Sequence, residues 1–168
     1  MKLTTKLFLF SALIFFALTA KAEDLAYSLG RVTQDYLKIQ KALAANNYQS
    51  ATENAQAMIW DLRNMPVNMM SDGQHKQWFS HLSKLMTDSR GISQGANIGA
   101  QKQQFSNLSK NLFETYKLFN LNKMAIYKLS CNGNVWLTQS ATVNNPYVSN
   151  TDKNKKCGNI DGILNAGK

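Results

Sequence analysis

Apolar residues recur through the first two thirds of the chain with a helical beat. From Leu25 the positions Leu29, Val32, Tyr36, Ile39 and Leu43 advance by alternate steps of four and three, which gathers them on one helix face. Asn46-Asn47 interrupts the pattern. Tyr48, Ala51, Ala55, Met58, Leu62 and Met65 then resume it until Pro66, which cannot occupy a helix interior. Ser71 or Asp72 can cap a third helix, with His75, Phe79, Leu82 and Met86 as its inner face, Trp78 widening that face and Gly91 ending the helix. The segment from Ser89 to Gly99 carries glycines at 91, 95 and 99 and reads as a loop or a frayed start of the next helix. The fourth helix is marked by Phe105, Leu108, Leu112 and Phe119, flanked by Phe113 and Tyr116, and stops near Asn120-Leu121-Asn122. Four amphipathic helices joined mostly by short links predict an all-α, up-and-down four-helix bundle. Its core should draw on Leu29, Val32, Tyr36, Ile39, Leu43, Met58, Leu62, Phe79, Leu82, Phe105, Leu108 and Leu112.

Beyond Met124 the beat shortens to two. Tyr127 and Leu129 on one side, Val135 and Trp136 on the other, flank Asn132-Gly133, the dipeptide that suits the two positive-φ positions of a type I′ hairpin turn. Closure there would pair Cys131 with Asn134 and Leu129 with Trp136. The expected result is a small C-terminal β-hairpin lobe over about 124–168, packed on one end of the bundle with Trp136 in the joint.

The N-terminus changes the compartment. Lys2 and Lys6 precede an apolar run from Leu7 to Leu18, followed by Ala20-Lys21-Ala22, the layout of a secretory signal peptide over 1–22. That run is too short and wrongly flanked for a retained span, and no later stretch is long enough for one. The remainder, 23–168, has the length of a single domain, expected to be periplasmic or secreted. Without Lys2, Lys6 and Lys21, 16 of the 19 basic residues stand against 10 acidic ones, a charge of +6. The lysines are scattered apart from Lys153, Lys155 and Lys156, and nucleic acid is not expected as a partner of an exported protein.

Candidate chemistry lies in three places. Met65, Met69, Met70 and His75 straddle the link between the second and third helices, and thioethers with an imidazole are the soft set that copper(I) prefers. The competing reading is that methionine fills core gaps. His75 and His81 are six apart, so a helix turns them away from each other. Cys131 and Cys157 are the only cysteines, and in an oxidising compartment they read first as a disulfide contributing about 3 kcal/mol, with free thiolates acting as ligands as the alternative. Asp35, Glu53, Asp61 and Glu114 are spread over three helices without a paired motif, so no enzyme is expected.

One further pattern points to a family. Asn97-Ile98, Gln101-Lys102, Phe105 and Leu108-Ser109, then Cys131, Val135-Trp136-Leu137, Asn145-Pro146-Tyr147 and Cys157-Gly158, with Tyr36-Leu37 and Lys41-Ala42-Leu43 upstream, resemble an uncharacterised bacterial exported domain family. Its members occur alone or fused to periplasmic adaptors of copper and other heavy-metal efflux systems. The resemblance implies a helical bundle with a C-terminal hairpin lobe and a non-enzymatic role in envelope copper or heavy-metal handling, with an efflux component or another exported protein as partner. In that family the first cysteine is usually followed by Pro and Met, and a Met precedes the second by three residues. Asn132, Gly133 and Asn154 stand there in this chain. Loss of those ligands leaves a second reading, a structural or protein-interaction domain that keeps the scaffold and binds no metal.

Overall fold

The computed structural model describes residues 25–120, 122, 124–148 and 156–166, so the expected leader, Lys153 and Lys155 lie outside the described residues. Among the described residues, four helices are followed by a three-stranded antiparallel sheet. Helix α1 spans 25–44 and buries the anticipated face, from Leu25 and Leu29 through Val32, Tyr36 and Ile39 to Leu43. It ends where Asn46 adopts a positive φ of 52°, a conformation asparagine tolerates better than most residues. Asn47 then caps α2 (Tyr48–Arg63), its side chain accepting from the Ser50 amide at 3.0 Å. Ala51, Ala55, Met58 and Leu62 form the buried face of α2. After Pro66 a short 3-10 turn, Val67–Met69, leads to α3 (Asp72–Ser93). Ser71 and Gln74 close a reciprocal capping box at its start. Helix α4 (Ile98–Phe119) is capped by Asn97 and ends on Asn120, also left-handed at φ 49°.

Two expectations about α3 are corrected. Its inner face is Trp78, Leu85, Met86, Asp88, Ser89 and Ile92, so Met86 is buried as expected, with Leu82 half-buried, whereas His75 and Phe79 point outward and Phe79 is 51% exposed. The helix is rotated because Trp78 takes the interior place, meeting Phe119 of α4 edge-on at 5.7 Å. Phe79 packs instead against His75 on the surface, ring centroids 4.9 Å apart. Nor does Gly91 end the helix. A Cβ there would stand 2.8 Å from the Gln104 side chain, so the glycine lets α3 and α4 close together while the helix continues to Ser93. Only residues 94–97 separate the two helices, so the expected loop shrinks to four residues.

The hairpin forms as anticipated from β1 (Ile126–Cys131) and β2 (Asn134–Thr138), with Cys131 opposite Asn134 and Leu129 opposite Trp136. Asn132 and Gly133 hold the turn at φ 50° and 80°. The lobe is larger than a hairpin, however. A third strand, β3 (Asn159–Leu164), pairs with the other side of β1, giving the order β2-β1-β3 with a register shift between Lys128 and Leu129. Its residues are mostly exposed, so it carries no alternating apolar signal.

Alternation along the strands gives the sheet two working faces. Ile126, Val135 and Leu137 share one face and are buried, and on that side Lys128 Nζ sits 4.9 Å from the Phe113 ring of α4. Leu129, Cys131 and Trp136 share the other and are also buried. The chain after β2 returns to cover Trp136.

Candidate functional site: the joint between helices and sheet

The outer edge of β2 presents the backbone groups of Val135 and Leu137 away from β1, and helix side chains meet them. Leu137 donates its amide to Tyr36 Oη at 2.8 Å, and Tyr36 shares a 2.7 Å hydrogen bond with Ser109 Oγ. Ser109 Oγ donates its one proton to the Phe105 carbonyl at 2.7 Å, so Tyr36 must donate to Ser109 while accepting from Leu137. Ser106 Oγ accepts from the Val135 amide at 3.0 Å, and Tyr147 Oη donates to the Val135 carbonyl at 2.5 Å. Three hydroxyls thereby occupy an edge that would otherwise be open for pairing. Burial pushes the Tyr36 phenol well above its ordinary value, helped by Tyr147 nearby, and burial likewise raises Tyr147. Both stay protonated and serve as donors.

Tyr147 is itself fixed from several sides. Asn145 Oδ1 accepts from the Tyr147 amide at 2.9 Å, an Asx turn across the buried Pro146. The Asn145 amide nitrogen reaches the Cys157 carbonyl at 3.4 Å. Lys102 Nζ donates to the Tyr147 carbonyl at 3.1 Å and to Asn46 Oδ1 at 2.8 Å, and burial lowers the pKa of that ammonium. The Tyr147 ring lies 6.1 Å from both Phe105 and Trp136. Gly158 passes so close to the indole that a Cβ would fall 2.9 Å from it, so only glycine fits. Cys131 and Cys157 form a disulfide across 5.8 Å between Cα atoms. Cys131, Trp136, Asn145, Pro146, Tyr147, Cys157 and Gly158 are therefore brought together, as one clasp fastening the sheet to α1 and α4.

The sulfur and imidazole set is divided between core and surface. Met65 is buried, Met70 packs against the same core, Met69 is half-buried and His75 is exposed. A disulfide offers no thiolate, the form that ligates metal. Among the described residues no group of three or more His, Cys, Asp or Glu is placed to hold a metal ion. No chemistry is derived through a metal at these side chains.

Sequence reasoning missed the hydroxyl roles of Ser106 and Ser109. Their one signal was position, since both are small polar residues on the buried face of α4. It also missed that Asp35 and Asp61 face one cleft of about 430 Å³ between α1 and α2. There Asp61 is ion-paired to Arg31 and Asp35 to Lys38 at 3.0 Å, while Arg31 lies 5.2 Å over the exposed Trp60 ring. Each carboxylate thus has its own cation, an arrangement unlike a dyad that shares a proton.

Four helices carrying a disulfide-tied, hydroxyl-clasped sheet define a helical domain with a small C-terminal antiparallel sheet. Residues 32–124 match the profile of a family described as protein of unknown function (DUF3347), and the chain belongs to that family. The matched stretch runs from α1 to the threshold of β1, so the sheet lies beyond it. Comparison with curated proteins and with solved structures finds no match.

Proposed function

We propose that this chain is a non-enzymatic exported interaction domain, an up-and-down helical bundle that presents its sheet lobe to another envelope protein. The supporting observation is the asymmetry of the sheet. The edge at β2 is closed by Tyr36, Ser106 and Tyr147, whereas β3 forms the opposite edge with Ile160 and Ile163 44% and 54% exposed. An exposed edge strand with apolar side chains is a template for strand addition, in which the backbone provides affinity and alternate side chains provide specificity. The Cys131–Cys157 bond ties the chain just before β3 to the end of β1.

The test is site-specific photo-cross-linking in cells from position 161, in the middle of β3. A discrete adduct that Ile163→Lys abolishes is expected, and adducts arising only from helical positions would overturn the reading. A copper(I) competition titration addresses the metal-handling alternative. Binding tighter than about 1 μM, some 8 kcal/mol, would restore that role, and weaker binding leaves the interaction domain.

A further inference from the structure

The cleft of about 430 Å³ between α1 and α2 is walled by two helix stripes, Arg31, Gln34, Asp35 and Lys38 on the first and Ala57, Trp60 and Asp61 on the second. Spacings of three and four residues put each set on one side of its helix, so both walls are helix surface rather than loop. Trp60 is the residue that packing leaves unexplained. It is 57% exposed, whereas the other two tryptophans, Trp78 and Trp136, are fully buried. Arg31 stands 5.2 Å from the centroid of the Trp60 ring and is held by Asp61, through Nε at 3.2 Å and through Nη2. With more than half of the residue open, the guanidinium leaves indole surface available to a ligand. Ala57, one turn earlier and also exposed, extends that apolar wall.

The polar side chains of the cleft can both accept and donate. Asp35 is only 4% exposed, and among the described residues its one hydrogen-bond partner is Lys38 Nζ, 3.0 Å from Oδ1. Its Oδ2 is therefore left to accept, and it is not sealed from solvent as the orphaned Ser89 Oγ is. Arg31 spends two of its five N–H groups on Asp61, so among the described residues three remain to donate, beside the exposed Gln34 amide. Arg31 and Lys38 balance Asp35 and Asp61, which leaves the described wall without net charge. A ligand of either sign would meet a like charge beside each opposite one and gain little net attraction. A neutral ligand still makes charge-assisted hydrogen bonds, about twice as strong as neutral ones. It needs an apolar face for the indole and a rim of groups that donate and accept. A pyranose ring has both, with C–H groups on its face and hydroxyls around its edge. For scale, a cavity of about 150 Å³ takes up benzene, so this cleft has room for two rings.

We propose that the cleft binds a neutral glycan of disaccharide size, its C–H face on Trp60 and Ala57 and its hydroxyls donating to Asp35 and accepting from Arg31. This goes beyond the interaction at β3 and does not depend on it. The probes are cellobiose and N,N′-diacetylchitobiose, each set against a charged counterpart of the same linkage, cellobiouronic acid and chitobiose. Affinity is read by calorimetry, and acrylamide quenching of tryptophan fluorescence reports on Trp60, the one indole that solvent reaches. At least one neutral disaccharide is expected to saturate with a Kd of about 1 mM or below, to shield Trp60 from the quencher, and to bind at least about tenfold tighter than its charged counterpart. Trp60→Ala should abolish the calorimetric signal. Ala57→Leu keeps the indole and a good helix former but narrows the cleft, and should weaken binding at least about tenfold. Both positions are exposed, so both variants should fold. No saturation by either neutral disaccharide, charged counterparts that bind as tightly, or binding unchanged in both variants would overturn the proposal. Cross-linking at β3 is unaffected by any of these results, so the two readings fail separately.

Discussion

Tyr36 Oη joins helix and sheet directly, donating to Ser109 and accepting from Leu137. Tyr36→Phe leaves the Leu137 amide buried without an acceptor, while Ser109 still donates to Phe105. A loss of about 1–3 kcal/mol is expected, read from the urea midpoint. Asp88 gives a second prediction at this scale, with a pH signature. Burial raises its pKa, and the hydrogen bond from Asn111 at 2.6 Å opposes that rise. The unfolded chain ionises near the ordinary value of 3.8, and the native carboxyl follows only at higher pH. Between those two values the unfolded state holds fewer protons, so Asp88's contribution to stability falls as pH rises through that window and stays lost above it. Asp88→Asn keeps an acceptor for Asn111 and removes the charge. The variant should be more stable than the parent at pH 7 and indistinguishable from it at pH 3, compared by denaturant midpoints at each pH.

The rotation of α3 is tested by a pair of adjacent substitutions. Trp78 is fully buried and Phe79 half-exposed, so Trp78→Ala should cost about 3–5 kcal/mol and Phe79→Ala no more than about 0.5. Similar losses at the two positions would mean that the helix faces the core differently. The elements that could be read from the sequence were those whose buried face is continuously apolar. Leu25 to Leu43 on α1 and Ala51 to Leu62 on α2 are of this kind, and Asn132-Gly133 marked its turn by backbone need. Helix α3 was misjudged because its inner face includes buried Asp88 and Ser89, which no hydrophobic count registers, while Phe79 lies outside. Strand β3 escaped because Ile160 and Ile163 are exposed and Gly162 interrupts them. The clasp was half legible. Asn145-Pro146-Tyr147 announces a turn, but the partners of Tyr147, Tyr36 and Val135 are set by tertiary packing across more than seventy residues of chain for Tyr36 and Ser109.

At the scale of the whole molecule the disulfide separates two kinds of cohesion. The helices share one apolar core, from Leu29 and Ile39 through Met58 and Trp78 to Leu112. The sheet joins that core through Leu129, Trp136 and Leu137, but the chain covering Trp136 is held by the Asn145 turn, the Tyr147 hydroxyl and the Cys131–Cys157 bond. Because the cysteines are 26 residues apart, the bond removes about 3.5 kcal/mol of loop entropy from the unfolded chain. Its native partners all lie in the lobe, so the loss on Cys131→Ser should be felt there. Amide exchange is expected to accelerate in β1, β2 and β3 and to remain slow through α2, α3 and α4, with a reductant reproducing the pattern in the parent. Uniform acceleration would instead mean that sheet and helices open as one unit. Thiol labelling of protein taken directly from cells, denatured and without reductant, should find no reactive cysteine. Two labelled thiols per chain would show that the clasp works without its covalent tie and would return both sulfurs to the pool of metal ligands.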